Sequence, residues 1–465
     1  MFESNDKLVQ KWAPVLEHAD APAITDAHKR AVTAQLLENS EIDFAKNESA
    51  QSYSLNEAAP TNNMSDAAGI NTFDPVLISM VRRAMPNLIA YDIAGVQPMT
   101  GPTGLIFAMH AQYVDNNTVA SRTEAFVDEP DTTFSAASRD AADMAQGTVP
   151  ATADMVQGLA GSADPTGLGV TAGASLTDSA VSVGGGFKLT DIMTTAQGET
   201  LGDATTNGFA EMAFTISKVT VEAKTRALKA EYTMELAQDL RAVHGLDAEA
   251  ELSNILSTEA LAEINREVVR TIYKQATLST QGLHTGIFNA TSAATTDADG
   301  RWQAERYKSI AVAIQFEANA IASGTRRGRG NFVIVSSDVA TALSASGSLA
   351  YTSASVEGAL VVDDTGNTFA GMMGSMKVFI DPYATGNFAC VGYRGANPYD
   401  AGIFYCPYVP LTKVKAVGEQ TFQPKIGFKT RYGMVSNPYV GTASGLAADG
   451  KRSNQYYRIM RIDNL

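Results

Sequence analysis

Five histidines, His18, His28, His110, His244 and His284, are the side chains best suited to proton transfer or metal binding near neutral pH. Their spacing argues against both uses. No two fall in the H-x-x-x-H pattern that sets two ring nitrogens on one helix face. His244, just before Gly245, reads as a helix-end or polar surface residue, and His110 as a residue within a strand. Glu249 with Glu251, and Glu259 with Glu263, are spaced as paired carboxylates. With Arg266 and Arg270 nearby on one amphipathic helix, they read instead as a solvated ion-pair face. No G-x-S-x-G nucleophile elbow is present. Gly167-Leu168-Gly169-Val170-Thr171-Ala172 matches a dinucleotide-loop pattern, but the strand before it and the helix after it are missing, so it reads as a glycine loop. Gly184-Gly185-Gly186-Phe187-Lys188 lacks phosphate-loop spacing and reads as a hinge. Cys390 and Cys406, the only cysteines, exclude a disulfide framework or thiolate zinc site and point to synthesis in a reducing compartment. The sequence therefore assigns no catalytic, cofactor-binding or metal residues.

One basic cluster remains, Arg326-Arg327-Gly328-Arg329-Gly330. It could touch nucleic acid in the manner of an RGG segment. However, the chain carries 35 Lys and Arg against 50 Asp and Glu, a net charge of −15, and no aromatic residue is interleaved with these arginines. That balance works against phosphate neutralisation. A subunit-contact turn, with Arg326, Arg327 and Arg329 pairing to a neighbour's acids, is the better reading. No run of about 18 apolar residues spans a membrane, and MFESNDKLVQKW lacks the apolar core of a secretory signal. With 465 residues, 45% of them hydrophobic, the chain has length for about three domains or one elaborate fold.

The elements that would position these residues follow from periodicity. Residues 1–57 carry ten acids and five bases, and a helix is expected from Asp26 to Asn39 with Ala31, Val32, Gln35 and Leu36 on a thin apolar stripe. Such a helix is marginal alone and needs a partner. An Ala/Asn/Thr/Ser-rich linker follows, then a short apolar helix from Pro75 stopped by Pro86, a β-like run, and a strand-turn-strand unit around PMTGPTG. From Thr123 to Ser217 there are thirteen acids and two bases, a composition expected of a long projecting loop with a loosely patterned insertion. Val219, Val221 and Ala223 mark a half-buried strand. From Asp247 to Gln275, Leu252, Ile255, Leu256, Ala260, Ile264, Val268 and Ile272 hold helical spacing. That helix would run roughly 40 Å, the length of a structural spine. NFVIVSS leading into DVATALSAS predicts a buried strand and a helix capped by Ser337 or Asp338. From Phe369 the chain reads as strand and turn, through MKVFID, NFACVGY, AGIFYCPYVPL and QPKIGFKTRYGMV.

Several long runs carry a specific resemblance. IAYDIAGVQPMTGPTGLIFAMHAQY (89–113), KTRALKAEYTMELAQDLRAVHGLDAEAELSNILSTEALAEINREVV (224–269), RRGRGNF, DAGIFYCPYVPL and QPKIGFKTRYG resemble the major capsid proteins of T-even-type tailed bacteriophages (myoviruses). The resemblance extends from about residue 75 to the C-terminus. It implies an α+β chain of the Hong Kong 97-type capsid fold, with a long spine helix, peripheral and axial domains, an extended β-hairpin loop and a small insertion. Six segments follow from it: a prosegment, 1–57; an amino-terminal arm and short helix, 58–97; the extended loop with its Gly- and acid-rich insertion, 98–217; a peripheral domain with the spine, 218–300; an axial domain, 301–407; and a return to the peripheral domain, 408–465.

The same resemblance implies a shell protein and no enzyme. Homo-hexameric capsomers would enclose double-stranded DNA without sequence-specific binding. Partners would be a pentameric vertex protein, a scaffold protein and prohead protease during assembly in the bacterial cytoplasm, a portal, and decoration proteins. No cofactor is implied. The protease of such phages cuts after a hydrophobic-x-Glu sequence. Leu55-Asn56-Glu57 before Ala58 fits, as do Val15-Leu16-Glu17 and Leu36-Leu37-Glu38; position at the compositional border favours Glu57. That cut would remove −5 and leave −10 on the mature chain. Alternatives are the paralogous pentameric vertex protein and, more remotely, a hydrolase with an inserted lid or a nucleic-acid-binding protein.

Overall fold

The computed structural model describes residues 2–17, 26–52, 88–114, 209–279, 285–290, 302–351, 368–418, 423–438 and 454–465, with isolated positions at 24, 122, 124–126, 134–135, 198–199 and 201–202. The chain divides into two compact units, residues 1–106 with 219–465, and residues 107–218.

The first unit is α+β. It opens with two helices, α1 (Phe2–Leu16) and α2 (Ala27–Ser52), and resumes at a one-turn helix, α3 (Ala90–Ile93), and a two-residue strand, β1 (Gly95–Val96). β1 is the edge of a four-stranded sheet, in order β1-β12-β13-β4, from β4 (Lys224–Glu231), β12 (Ile403–Val417) and β13 (Pro424–Ser436). β12, β13 and β4 run antiparallel, and β1 lies parallel to β12.

Helix α4 (Met234–His244) starts at Thr233, whose hydroxyl accepts the Leu236 N–H, and stops at Gly245, whose φ of 66° suits a residue without Cβ. Helix α5 (Ala248–Gln275) is the expected long helix, capped by the Asp247 carboxylate on Glu249 N–H at 3.1 Å. It buries Ala260, Ile264, Val268 and Ile272, one residue per turn, in a core shared with Ile426, Phe428 and Tyr432 of β13.

The second sheet of this unit has eight strands, in order β5-β14-β11-β7-β10-β9-β8 with β6 also on β14. They are β5 (Ala276–Leu278), β6 (Ile287–Asn289), β7 (Phe332–Ser336), β8 (Ala350–Tyr351), β9 (Thr368–Met373), β10 (Met376–Asp381), β11 (Phe388–Gly392) and β14 (Asn454–Asp463). β7 is buried along its whole length, as expected for a continuous FVIVS run between two neighbours. Helices α6 (Gln303–Thr325) and α7 (Ser337–Ala345) pack with this sheet through Ile310, Ile314, Ile321, Val339 and Leu343.

The second unit contains most of β2 (Thr103–Tyr113) and β3 (Met212–Glu222), which pair as a two-stranded ribbon. Within it His110 is buried against Glu124, Nδ1 to Oε1 at 2.9 Å, and the Tyr113 and Phe134 rings lie 4.5 Å apart.

Several expectations are corrected. The helix expected over Asp26–Asn39 continues to Ser52. The β-like run after Pro86 includes the helical turn α3, fixed where the Asn265 side-chain oxygen of α5 accepts the Ile89 N–H at 3.1 Å. Ser336, not Ser337 or Asp338, occupies the N-cap position of α7, and it makes no side-chain cap bond because its hydroxyl faces Asn387 at 3.5 Å. α6 and β14 were not anticipated, although Ile310, Ile314, Ala318 and Ile321 carry a helical period. Cys390 and Cys406 are buried, unbridged thiols, and burial pushes each up to about 12. The 75–86 helix, both glycine motifs, and Leu55, Glu57 and Ala58 lie outside the described residues.

Candidate assembly surfaces

Alternation along β2 and β3 separates a covered face from an open one. Bonds from Ala223 N to Pro102 O and from Val114 N to Glu211 O set odd positions of β2 opposite even positions of β3. Leu105, Phe107, Met109, Met212, Phe214 and Ile216 therefore share one face, and each is 52 to 66% exposed. A half-exposed row of two phenylalanines and four aliphatics on a two-stranded ribbon is an association surface rather than a surface for water.

The arginine turn is built by local backbone requirements. Arg326 ends α6 with φ 53°, its N–H donating to Ala322 O at 2.9 Å. A Cβ on Gly328 would come within 2.6 Å of the Tyr393 ring, so the backbone there lies flat against that ring. Tyr393 Oη sits 3.1 Å from Asp400 and 3.3 Å from Arg327 O. With the turn pinned underneath, Arg326, Arg327 and Arg329 remain exposed.

Glu249, Glu263 and Glu267 of α5 reach other elements rather than their own helix, which corrects the expected pairing of Glu249 and Glu263 with Arg266 and Arg270. Glu249 meets Lys413 at 2.8 Å and also Lys415, and these two ammoniums hold its carboxyl below the usual range. Glu263 and Glu267 flank the Arg226 guanidinium of β4, and the Tyr432 hydroxyl donates to Glu267. Arg266 forks onto both oxygens of buried Asp381, at 2.8 and 2.7 Å, where Tyr273 also donates at 2.9 Å. Burial and the Asp381 charge raise the Tyr273 phenol, so it stays a donor. A cavity of about 30 Å³ beside this pair, lined by Ile89, Asn265, Phe379 and Tyr383, has room for about one water and for no metabolite. Glu317 of α6 is closed in by Arg458 at 3.1 Å and Ser279 at 2.7 Å. These charges are tied to structural partners. Among the described residues no group of three or more His, Cys, Asp or Glu is placed to hold a metal ion, and no helix is long and apolar enough to cross a membrane.

The charged amino-terminal segment has its partner in its own chain. Val32, Thr33, Leu36, Leu37 and Ser40 of α2 are all at most 1% exposed, a stripe repeating every three to four residues. Val32, Leu36 and Leu37 join the core that holds Tyr91, Val96, Ile403 and Leu411. Polar groups flank the stripe. His28 Nε2 donates to Val96 O at 3.1 Å, and the Asn39 amide donates to Met99 O at 2.7 Å and Tyr408 O at 2.9 Å. The Lys29 ammonium lies 5.3 Å from the Tyr91 ring centre. α1 braces α2, with Lys11 on Glu38 and Glu41 at 2.7 Å each and the Trp12 indole on Glu38 at 3.1 Å.

An α+β unit whose Glu249, Glu263, Glu267, Glu317 and Asp381 are tied to structural partners, an open apolar ribbon, and no assembled reaction centre among the described residues define a structural protein built to associate. Comparison with known proteins gives the particular kind. The family model described as Major capsid protein Gp23 matches residues 70–462, and the chain belongs to that family. The major capsid protein of Vibrio phage KVP40 is 37% identical over 98% of this chain and all of its own length. That of Enterobacteria phage T4 is 38% identical over 95% of this chain and 94% of its own. The T4 capsid vertex protein is 29% identical over only 50% of this chain and 54% of its own length. Among solved structures, the capsid of Myoviridae phage XM1 is 9% identical over 80% of this chain and 91% of that one, at a TM-score of 0.37. The chain is thus a major capsid protein of the T-even myovirus type, a component of the virion shell and not an enzyme.

Proposed function

We propose that this capsid protein assembles as hexameric capsomers around double-stranded DNA, in a Hong Kong 97-type fold. The observation that carries the reading is the open apolar face of the β2–β3 ribbon, which a lone copy leaves in water and a neighbouring copy would cover. In this reading α5 is the spine, residues 218–300 and 408–465 form the peripheral domain, and residues 301–407 form the axial domain. Residues 98–217 are the extended loop, and 58–97 the mature arm. Arg326, Arg327 and Arg329 meet acids of a neighbouring subunit. The residual net charge, −10 after removal of residues 1–57, fits a shell that holds DNA without gripping it.

The fuller match to major capsid proteins than to the vertex protein supports hexamers over pentamers. A vertex protein, portal, scaffold, prohead protease and decoration proteins are the expected partners. Processing falls after Glu57 in Leu55-Asn56-Glu57, ahead of Ala58. The test is the intact mass and N-terminal sequence of the most abundant chain of purified particles. A start at Ala58 supports both shell role and cut; an abundant full-length chain rejects the processing, and a start after Glu17 or Glu38 moves it.

A further inference from the structure

The segment that processing would remove is built into the first unit, with its contacts on residues that stay behind. Its buried stripe lies against Tyr91, Val96 and the β12 side chains, and its polar groups occupy three backbone carbonyls, those of Val96, Met99 and Tyr408. β1 is a sheet edge, and Gln97 N and Met99 N already bond inward to Tyr405 O and Pro407 O. His28 and Asn39 thus supply hydrogen bonds to an edge that no further strand covers among the described residues. Gln35 Nε2 donates to the Asn39 side-chain oxygen at 3.1 Å and so fixes which end of that amide faces the carbonyls. Arg394, half-buried beside this site with its Nε unbonded, sits in the field of Asp26 and Asp92, one acid from each side of the cut. None of these contacts passes through residues 53–87.

We propose that the groove formed by α3, β1 and β12 is a binding site for an amphipathic helical peptide, its ligand being residues 1–52 of this chain after excision. Cutting the chain and releasing the segment are then separate events. The proposal rests on the processing reading for its role in the particle, but not for its test. Cleavage in the 53–57 stretch removes only the tether, and with it the effective concentration that a covalent link provides. The buried leucines and the three carbonyl bonds persist. The contacts that hold α2 are therefore the same before and after the cut, and the excised peptide stays on the subunit.

The experiment uses the full chain with residues 53–57 replaced by the recognition sequence of a site-specific protease. After complete cleavage in solution, gel filtration followed by mass spectrometry reads whether the 1–52 peptide travels with the large fragment. Co-elution of most of the peptide supports the proposal, as does its slow exchange against added fluorescent 1–52 peptide. Separation at the first passage overturns it. The L36D variant is expected to exchange at least tenfold faster, with N39A intermediate; should L36D fail to fold, the unsubstituted chain and N39A decide alone. Exchange rates equal in N39A and the parent would overturn the carbonyl part. A particle chain that keeps its original N-terminus would retire the processing reading while leaving this measurement intact.

Discussion

Helix α2 and the β2–β3 ribbon reverse what their compositions suggest. α2 is drawn from the charged first 57 residues, yet it buries Leu36 and Leu37 completely. The ribbon is apolar on one face, yet leaves Phe107 and Phe214 two-thirds exposed. The difference lies in which surfaces one copy can satisfy by itself. A stripe with its receiving groove in the same chain is covered on folding. A stripe whose partner is another copy waits for assembly, where apolar burial gives the driving force. The part proposed to be temporary is the internally satisfied one, and the permanent part is left open.

Four changes test that contrast, in descending order of effect. Replacing Phe107 and Phe214 together by serine should abolish shell formation, seen as loss of particles by electron microscopy. The thermal unfolding of the isolated chain should hardly move, because exposed side chains contribute little to it. A large drop in melting temperature would mean that the ribbon face is covered within the chain. Leu36→Ala should cost the full-length chain about 2–5 kcal/mol by denaturant titration. A cost below about 0.5 kcal/mol, the size expected of a surface substitution, would mean that the stripe is not held by the chain's own groove.

Asn39→Ala comes next. It leaves the Met99 and Tyr408 carbonyls without their donor, at a cost of about 1–3 kcal/mol in the same titration.

The smallest effect is one of pH. Burial, and to a lesser degree Arg394, hold the His28 imidazole below its ordinary pKa, against the hydrogen bond to Val96 and the charge of Asp26. The unfolded chain therefore binds the extra proton first. His28's contribution is whole above about pH 6.5 and is lost as pH falls through its lowered folded value. The opening free energy of the α2 amides, from exchange rates corrected for the intrinsic slowing of amide exchange in acid, should fall on acidification in that window. His28→Gln, which keeps an N–H for Val96 O, should flatten the dependence; an unchanged profile would assign it to other groups.

The elements with strong local periods are legible: α5 from Leu252 to Ile272, β7 from FVIVS, and β12 and β13 from their aromatic runs. A repeat sustained over 28 residues leaves one burial face whatever lies opposite. The helical period of α6 is hard to see because alanines dilute its isoleucines, and the cap of α7 is ambiguous by one residue because adjacent serines offer the same chemistry.

Charge, periodicity and kinship are written along the chain: it is acidic, with a long amphipathic helix, alternating strands and runs shared with capsid proteins. The pairings come only from packing in three dimensions. Glu249 reaches Lys413 across 164 positions, Asn39 reaches Tyr408 across 369, and Arg266 meets Asp381 rather than a glutamate one turn away. A local pattern fixes which face of an element is apolar, but the partner of that face is chosen by packing among segments distant in the chain, and no spacing along the sequence encodes that distance.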